Sequence, residues 1–109
     1  MKQSINFSQF VDAFNAYDRY SNFGYDGLRV IYDYFEEYEE STGEEVELDV
    51  IAICCDVNMM EFDDVISDYG LDDSDCEDDD ERQELVRDYL NEKTSVLGET
   101  GDNILFFAF

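Results

Sequence analysis

Histidine is missing from this chain, and so are proline and tryptophan. Without histidine, the commonest general base and metal ligand is gone. The serines therefore have no partner of the triad type. Cysteine is scarce and odd in number: Cys54, Cys55 and Cys76. Cys54 and Cys55 are neighbours, so no disulfide framework is implied and a reducing compartment is expected. Three cysteines, two of them adjacent, also match no zinc spacing. No apolar run approaches the ~20 residues of a membrane span. The opening "MKQSINFSQF" has no apolar core of a secretory signal. A cytoplasmic protein, in a host cell if phage-encoded, is the expectation. Glycine-rich phosphate loops are absent; Gly98 and Gly101 sit in turn chemistry.

Positive charge is the other shortage. Six Lys and Arg face 30 Asp and Glu, for a formal net charge of −24. A small domain needs a magnitude of only about 2 to 8 for solubility. The excess costs stability through self-repulsion. Disorder is the bland explanation of such a charge, but disordered acidic chains lack hydrophobic groups. This one has nine Phe, eight Tyr and 44% hydrophobic residues. A single folded domain over residues 1–109 is expected. The charge is uneven. The first 35 residues hold four acids against three bases, and the remaining segment holds the other 26 acids against three.

Apolar spacing gives the elements. Phe10, Phe14 and Tyr17 follow Ser8 at helical intervals, with Ser8 as the N-cap and Phe7 packing back. "RYSNFGYDG" reads as a loop. A second helix begins near Tyr25 or Asp26, carries Leu28, Ile31, Phe35 and Tyr38 inward, and ends at Gly43. "VELDVIAICC", Val46 to Cys55, alternates and then turns apolar on both parities, which reads as a strand entering a region covered on both faces. A buried helix is the alternative there. Met59 to Tyr69 reads as a third helix stopped by Gly70, and a fourth starts near Asp79 or Asp80, using Leu85, Val86, Tyr89 and Leu90. Thr94–Leu97 and Ile104–Phe109 close the chain as a hairpin. The expected fold is α+β: about four helices packed on a short, largely antiparallel three-stranded sheet, in the order α-α-β-α-α-β-β. Phe10, Phe14, Leu28, Ile31, Phe35, Ile51, Ile53, Val65, Leu85 and Phe106 are the expected core. Tyr17, Tyr38, Tyr69 and Tyr89 join it. Tyr20, Tyr25, Tyr32 and Tyr34 are left nearer the surface as candidate interface anchors.

Site chemistry narrows to the carboxylates. Carboxylate pairs can do acid–base work on sugars, but among 30 acids some pair always looks suitable, so catalysis is not expected. "DDSDCEDDDERQE" has the composition of a calcium loop. A twelve-residue count from Asp73 puts Asp75 third, Glu77 fifth and Glu84 twelfth, but Asp78 falls where the turn requires glycine. No dedicated metal site and no cofactor are expected. Cys54 and Cys55 read as small buried hydrophobes. Cys76, flanked by acids, should have a raised thiol pKa.

Two acidic stretches remain. The second helix presents Asp33, Glu36, Glu37 and Glu40, with Glu44 just past its end, at i, i+3 and i+4 intervals on one side. "LDDSDCEDDDE" adds Asp72, Asp73, Asp75, Glu77, Asp78, Asp79, Asp80 and Glu81. A charge run is usually a solvated face. Here the spacing along one helix comes within a factor of about two of the ~3.4 Å per charge of a DNA strand. These residues are the candidate partner-binding set. The partner would be a basic nucleic-acid-binding protein, since the same field repels nucleic acid and acidic membranes.

A −24, aromatic-rich domain of this length resembles the DNA-mimic inhibitors that phages and mobile elements direct against restriction enzymes, CRISPR–Cas effectors and other defence machinery. "YDYFEEYEESTGEEVELDVIAICCDV" also resembles a group of small uncharacterised acidic phage proteins. The first resemblance is one of charge and class, and implies a non-enzymatic inhibitor that occupies the nucleic-acid groove of a host protein and blocks DNA or RNA binding. The runner-up is an acidic interaction module that neutralises a basic partner without imitating DNA. The oligomeric state is left open between monomer and homodimer.

Overall fold

Ile104, Leu105 and Phe106 are consecutive, and all three are completely buried. Successive strand residues point to opposite faces of a sheet, so a continuous apolar run needs cover on both sides. The computed structural model, which describes residues 5–109, supplies that cover. Strand β3 (Asn103–Phe107) lies between β1 (Val57–Glu61) and β2 (Val96–Thr100) and pairs antiparallel with both. Leu105 packs into one cluster with Phe10, Phe14, Leu28, Ile31 and Ile53, and Ile104 and Phe106 pack into a second with Phe62, Val65, Val86 and Leu90. The first cluster is closed by α1 (Phe7–Ala16), α2 (Gly24–Thr42) and α3 (Val50–Asp56). The second is closed by α4 (Phe62–Tyr69) and α5 (Asp79–Lys93). The molecule is an α+β fold in three layers, with the sheet in the middle.

Local chemistry sets the element boundaries. Asn6, not Ser8, caps α1: its Oδ1 accepts from the Gln9 N–H at 2.8 Å while Gln9 Oε1 accepts from the Asn6 N–H at 3.0 Å. The reciprocal pair satisfies two end donors at once, which a lone serine could not. Gly43 ends α2 as expected, in the left-handed conformation with its N–H on the Glu39 carbonyl. Asp78 caps α5, accepting from the Glu81 N–H at 2.9 Å, and three acids follow in the first turn, where the helix dipole favours them.

The strand expected over Val46–Cys55 is absent. The chain is irregular up to Asp49, whose side chain accepts from the Ala52 N–H at 3.0 Å and so caps α3. Val50, Ile53 and Val57 are buried at helical spacing, and Ile51, expected in the core, is 45% exposed. The alternation of Glu47 and Asp49 belongs to a loop and a helix cap. The edge strand comes one step later, at Val57–Glu61, and takes in Met59 to Glu61, the residues expected to begin the next helix. The described residues thus hold five α-helices in the order α-α-α-β-α-α-β-β, with a short 3-10 turn at Tyr20–Asn22. Seven of the expected core residues are buried, and Phe35 and Leu85 are half-buried. In α5 the deepest positions are Val86 and Leu90, one residue on from Leu85. Tyr17 and Tyr38, expected inside, are 58% and 42% exposed, whereas Tyr69 and Tyr89 pack onto the second cluster. Among the tyrosines left as surface anchors, Tyr25 is exposed and Tyr20, Tyr32 and Tyr34 are half-buried.

Candidate partner-binding surface

No charged residue among the described residues is buried. The carboxylates are all presented outward, and the three-layer core carries none of them. Three of the few arginines are tied to acids of the same molecule. Arg29 pairs with Asp33 at 3.2 Å one helical turn away. Arg87 grips Glu99 through two nitrogens at 2.6 and 2.9 Å, a fork-to-carboxylate contact that holds its guanidinium protonated even more firmly than usual. Arg82 reaches Asp63 at 2.8 Å, Asp73 at 3.1 Å and Asp79 at 3.8 Å.

On α2 the candidate acids fall as the helical period places them. Asp33, Glu37 and Glu40 recur at i, i+4 and i+7 and are exposed. Glu36 is half-buried on the flank of that line, and its charge, after burial itself, raises the pKa of the Tyr32 phenol. That phenol donates to the Ile5 carbonyl at 2.9 Å. Glu44 lies beyond Gly43, exposed in the loop to α3. From Asp33 to Glu40, four of these carboxylates span about 10 Å of helix axis.

The run over residues 72–81 divides into acids that build the loop and acids that project from it. Asp72 accepts from both the N–H and the hydroxyl of Ser74, which holds its carboxyl below the usual range. Asp73 is pinned by Arg82, Asp78 caps α5, and Glu81 accepts from the Glu77 N–H at 2.8 Å. Asp75 and Glu77 are exposed on the loop, and Asp79 and Asp80 on the first turn of α5; Asp79 is 91% exposed despite its distant arginine. Cys76 sits half-buried in this setting, and burial, then Glu81 and Asp73, push its thiol pKa up. Cys54 and Cys55, expected buried, are half-buried and exposed.

The two stretches do not form one continuous line. α2 belongs to one outer layer and α5 with its preceding loop to the other, so the charges form two ridges separated by the sheet. Around Arg82 the second ridge is wider than the sequence suggested. Glu61, Asp63, Asp79 and Asp102 border a cleft of about 220 Å³ between α4, α5 and the β2–β3 turn. The tertiary fold brings these acids together from three places in the chain. No group of described residues is arranged to hold a metal ion, and no helix among them is long and apolar enough to cross a membrane. No protein family, curated protein or solved structure matches the chain.

Proposed function

We propose that this protein is a DNA mimic: a non-enzymatic inhibitor that fills the basic nucleic-acid-binding groove of a host defence nuclease or effector and blocks its access to DNA or RNA. The observation that carries the reading is linear charge density. The four residues outside the described range hold one lysine and no acid, so the described residues carry 30 acids against five bases, a net −25, on a body 48 Å long. That is one net charge per about 2 Å, against one per ~1.7 Å along duplex DNA. A groove that gains affinity by exchanging counterions for phosphates would gain it from such a surface too.

Two further observations support the reading. The charge is carried on a packed aromatic core, so a partner meets a pre-formed polyanion and need not order it. The internal ion pairs of Arg82 and Arg87 fix the acidic loop and the β2 edge while spending few of the carboxylates.

Affinity isolation from a bacterial lysate, eluted with duplex DNA, tests this function. A nucleic-acid-binding protein should be captured and released by DNA at low salt. Double reversal of Glu37 and Glu40, or of Asp78 and Asp79, to lysine should weaken capture. Asp78→Lys also removes a helix cap, so its fold must be checked by circular dichroism; Asp79→Lys with Asp80→Lys avoids the cap. Capture that is insensitive to DNA and to the reversals would instead fit an acidic module docking elsewhere on its partner.

A further inference from the structure

Between α2, α3 and the end of the sheet lies a pocket of about 170 Å³ with an apolar floor. Ile53 and Val57, which are buried, with half-buried Phe35 and Phe107 supply that apolar lining, and Val46 and exposed Ala52 line the pocket beside them. Its rim carries Glu47, Asp49 and Asp56, and no basic residue among the described residues lines it. Glu47 and Asp56 are exposed, and neither side chain has a hydrogen bond or ion pair within the described residues. Asp49 spends one carboxylate oxygen on the Ala52 N–H and leaves the other open. None of these three acids belongs to the two ridges.

An apolar floor under an acidic rim matches one common chemical shape. Lysine and arginine have an alkyl stem that buries on apolar surface and a cationic head that stays at the edge. A neutral apolar side chain would fill the floor but leave the rim uncompensated. A bare inorganic cation would meet the rim and leave the floor wet. We propose that this pocket receives a lysine or arginine side chain projecting from the basic partner, anchoring the complex at one defined point beside the diffuse charge of the ridges. The inference rests on the proposed partner being a basic protein. It adds a hot spot of the kind that dominates interface energies, a cation with a desolvated stem in a pocket.

The test is a nuclear magnetic resonance titration of the full chain with three capped tripeptides: Gly-Arg-Gly, Gly-Lys-Gly and Gly-norleucine-Gly. The two cationic peptides should give saturable amide shifts at Val46, Ala52, Ile53 and Asp56, and the norleucine peptide should bind about tenfold more weakly, the loss of a charged hydrogen bond. Ala52→Leu, at an exposed helical position, should abolish the saturable shifts with every acid intact. Glu47→Gln with Asp56→Asn should weaken binding about tenfold while leaving the floor open. Shifts spread over the whole acidic surface and unchanged in both variants would overturn the pocket. The same variants, tried on the captured partner, separate the two claims. A partner displaced by DNA but indifferent to Ala52→Leu sinks the pocket and leaves the mimic. A partner lost on Ala52→Leu but indifferent to DNA does the reverse.

Discussion

Gly98 sits in β2 opposite Leu105, and a Cβ added there would stand 2.8 Å from Val30 Cγ1 on α2. Valine is stiff at χ1 and cannot swing aside easily. Gly98→Ala should therefore cost about 1 to 3 kcal/mol through overpacking. Adding Val30→Ala should return part of the loss, and urea denaturation of the three variants would show it. Equal stability of Gly98→Ala and the parent would mean that α2 does not approach β2 so closely. Phe14, completely buried, gives the opposite error: Phe14→Ala should leave a cavity and cost about 3 to 5 kcal/mol. At Cys76 the raised thiol pKa has a kinetic consequence. A smaller fraction is thiolate at pH 8 in the folded chain than in the unfolded one, so iodoacetamide should label it more slowly when folded. Its labelling should still be climbing with pH above the ordinary thiol range. Mass spectrometry of the Cys76 peptide across pH reads this directly, and a folded-state profile that levels off at or below the unfolded one would contradict it. The burial of Phe14 and the direction at Cys76 could both be read from the sequence. The Gly98 contact could not, because it depends on which helix lies over which strand.

At the scale of elements, four amphipathic helices were legible and the seven-residue α3 was not. α1, α2, α4 and α5 each carry an apolar stripe with a clear stop or start signal, such as Gly43, Gly70 or the acids before Glu81. α3 has only seven residues, and its apolar content on both parities imitates a buried strand. Its deciding feature is the cap at Asp49, which the alternation with Glu47 concealed. The acidic loop before α5 shows the same limit. The sequence marks its charge, but not that Arg82 ties it to Asp63 in α4. Arg82→Met should remove that tie. The global cost should be small, about 1 kcal/mol, because half-exposed ion pairs are individually weak. Amide exchange over residues 72–78 should nevertheless accelerate while the β3 amides keep their protection. Unchanged exchange in the loop would show that Arg82 does not hold it. The candidate acids on α2 were chosen by helical spacing and those over residues 72–81 by their density in the sequence; Glu47 and Asp49 were passed over because Val46–Cys55 was read as a strand, and Asp56 lies just past its end.

For the whole molecule, the governing quantity is a surface charge that its few bases do not balance. Self-repulsion among exposed carboxylates weakens as salt shortens the screening length, from ~10 Å at 0.1 M to ~3 Å at 1 M. The melting temperature of the free protein should therefore rise with moderate sodium chloride. A flat or falling response would mean that the acids are compensated internally. Binding to its partner should run the other way and weaken steeply with salt, as contacts to many phosphates do. Single acids should matter little in that interface and pairs of them more. The most direct test of the mimic is a competition titration on the isolated partner. This protein is added at low salt to the partner loaded with fluorescent DNA or RNA, and anisotropy reports release of the nucleic acid. The account predicts mutual exclusion: complete release, and an apparent affinity for this protein that falls in proportion to the nucleic acid present. A stable ternary complex, formed with no loss of affinity on either side, would contradict it.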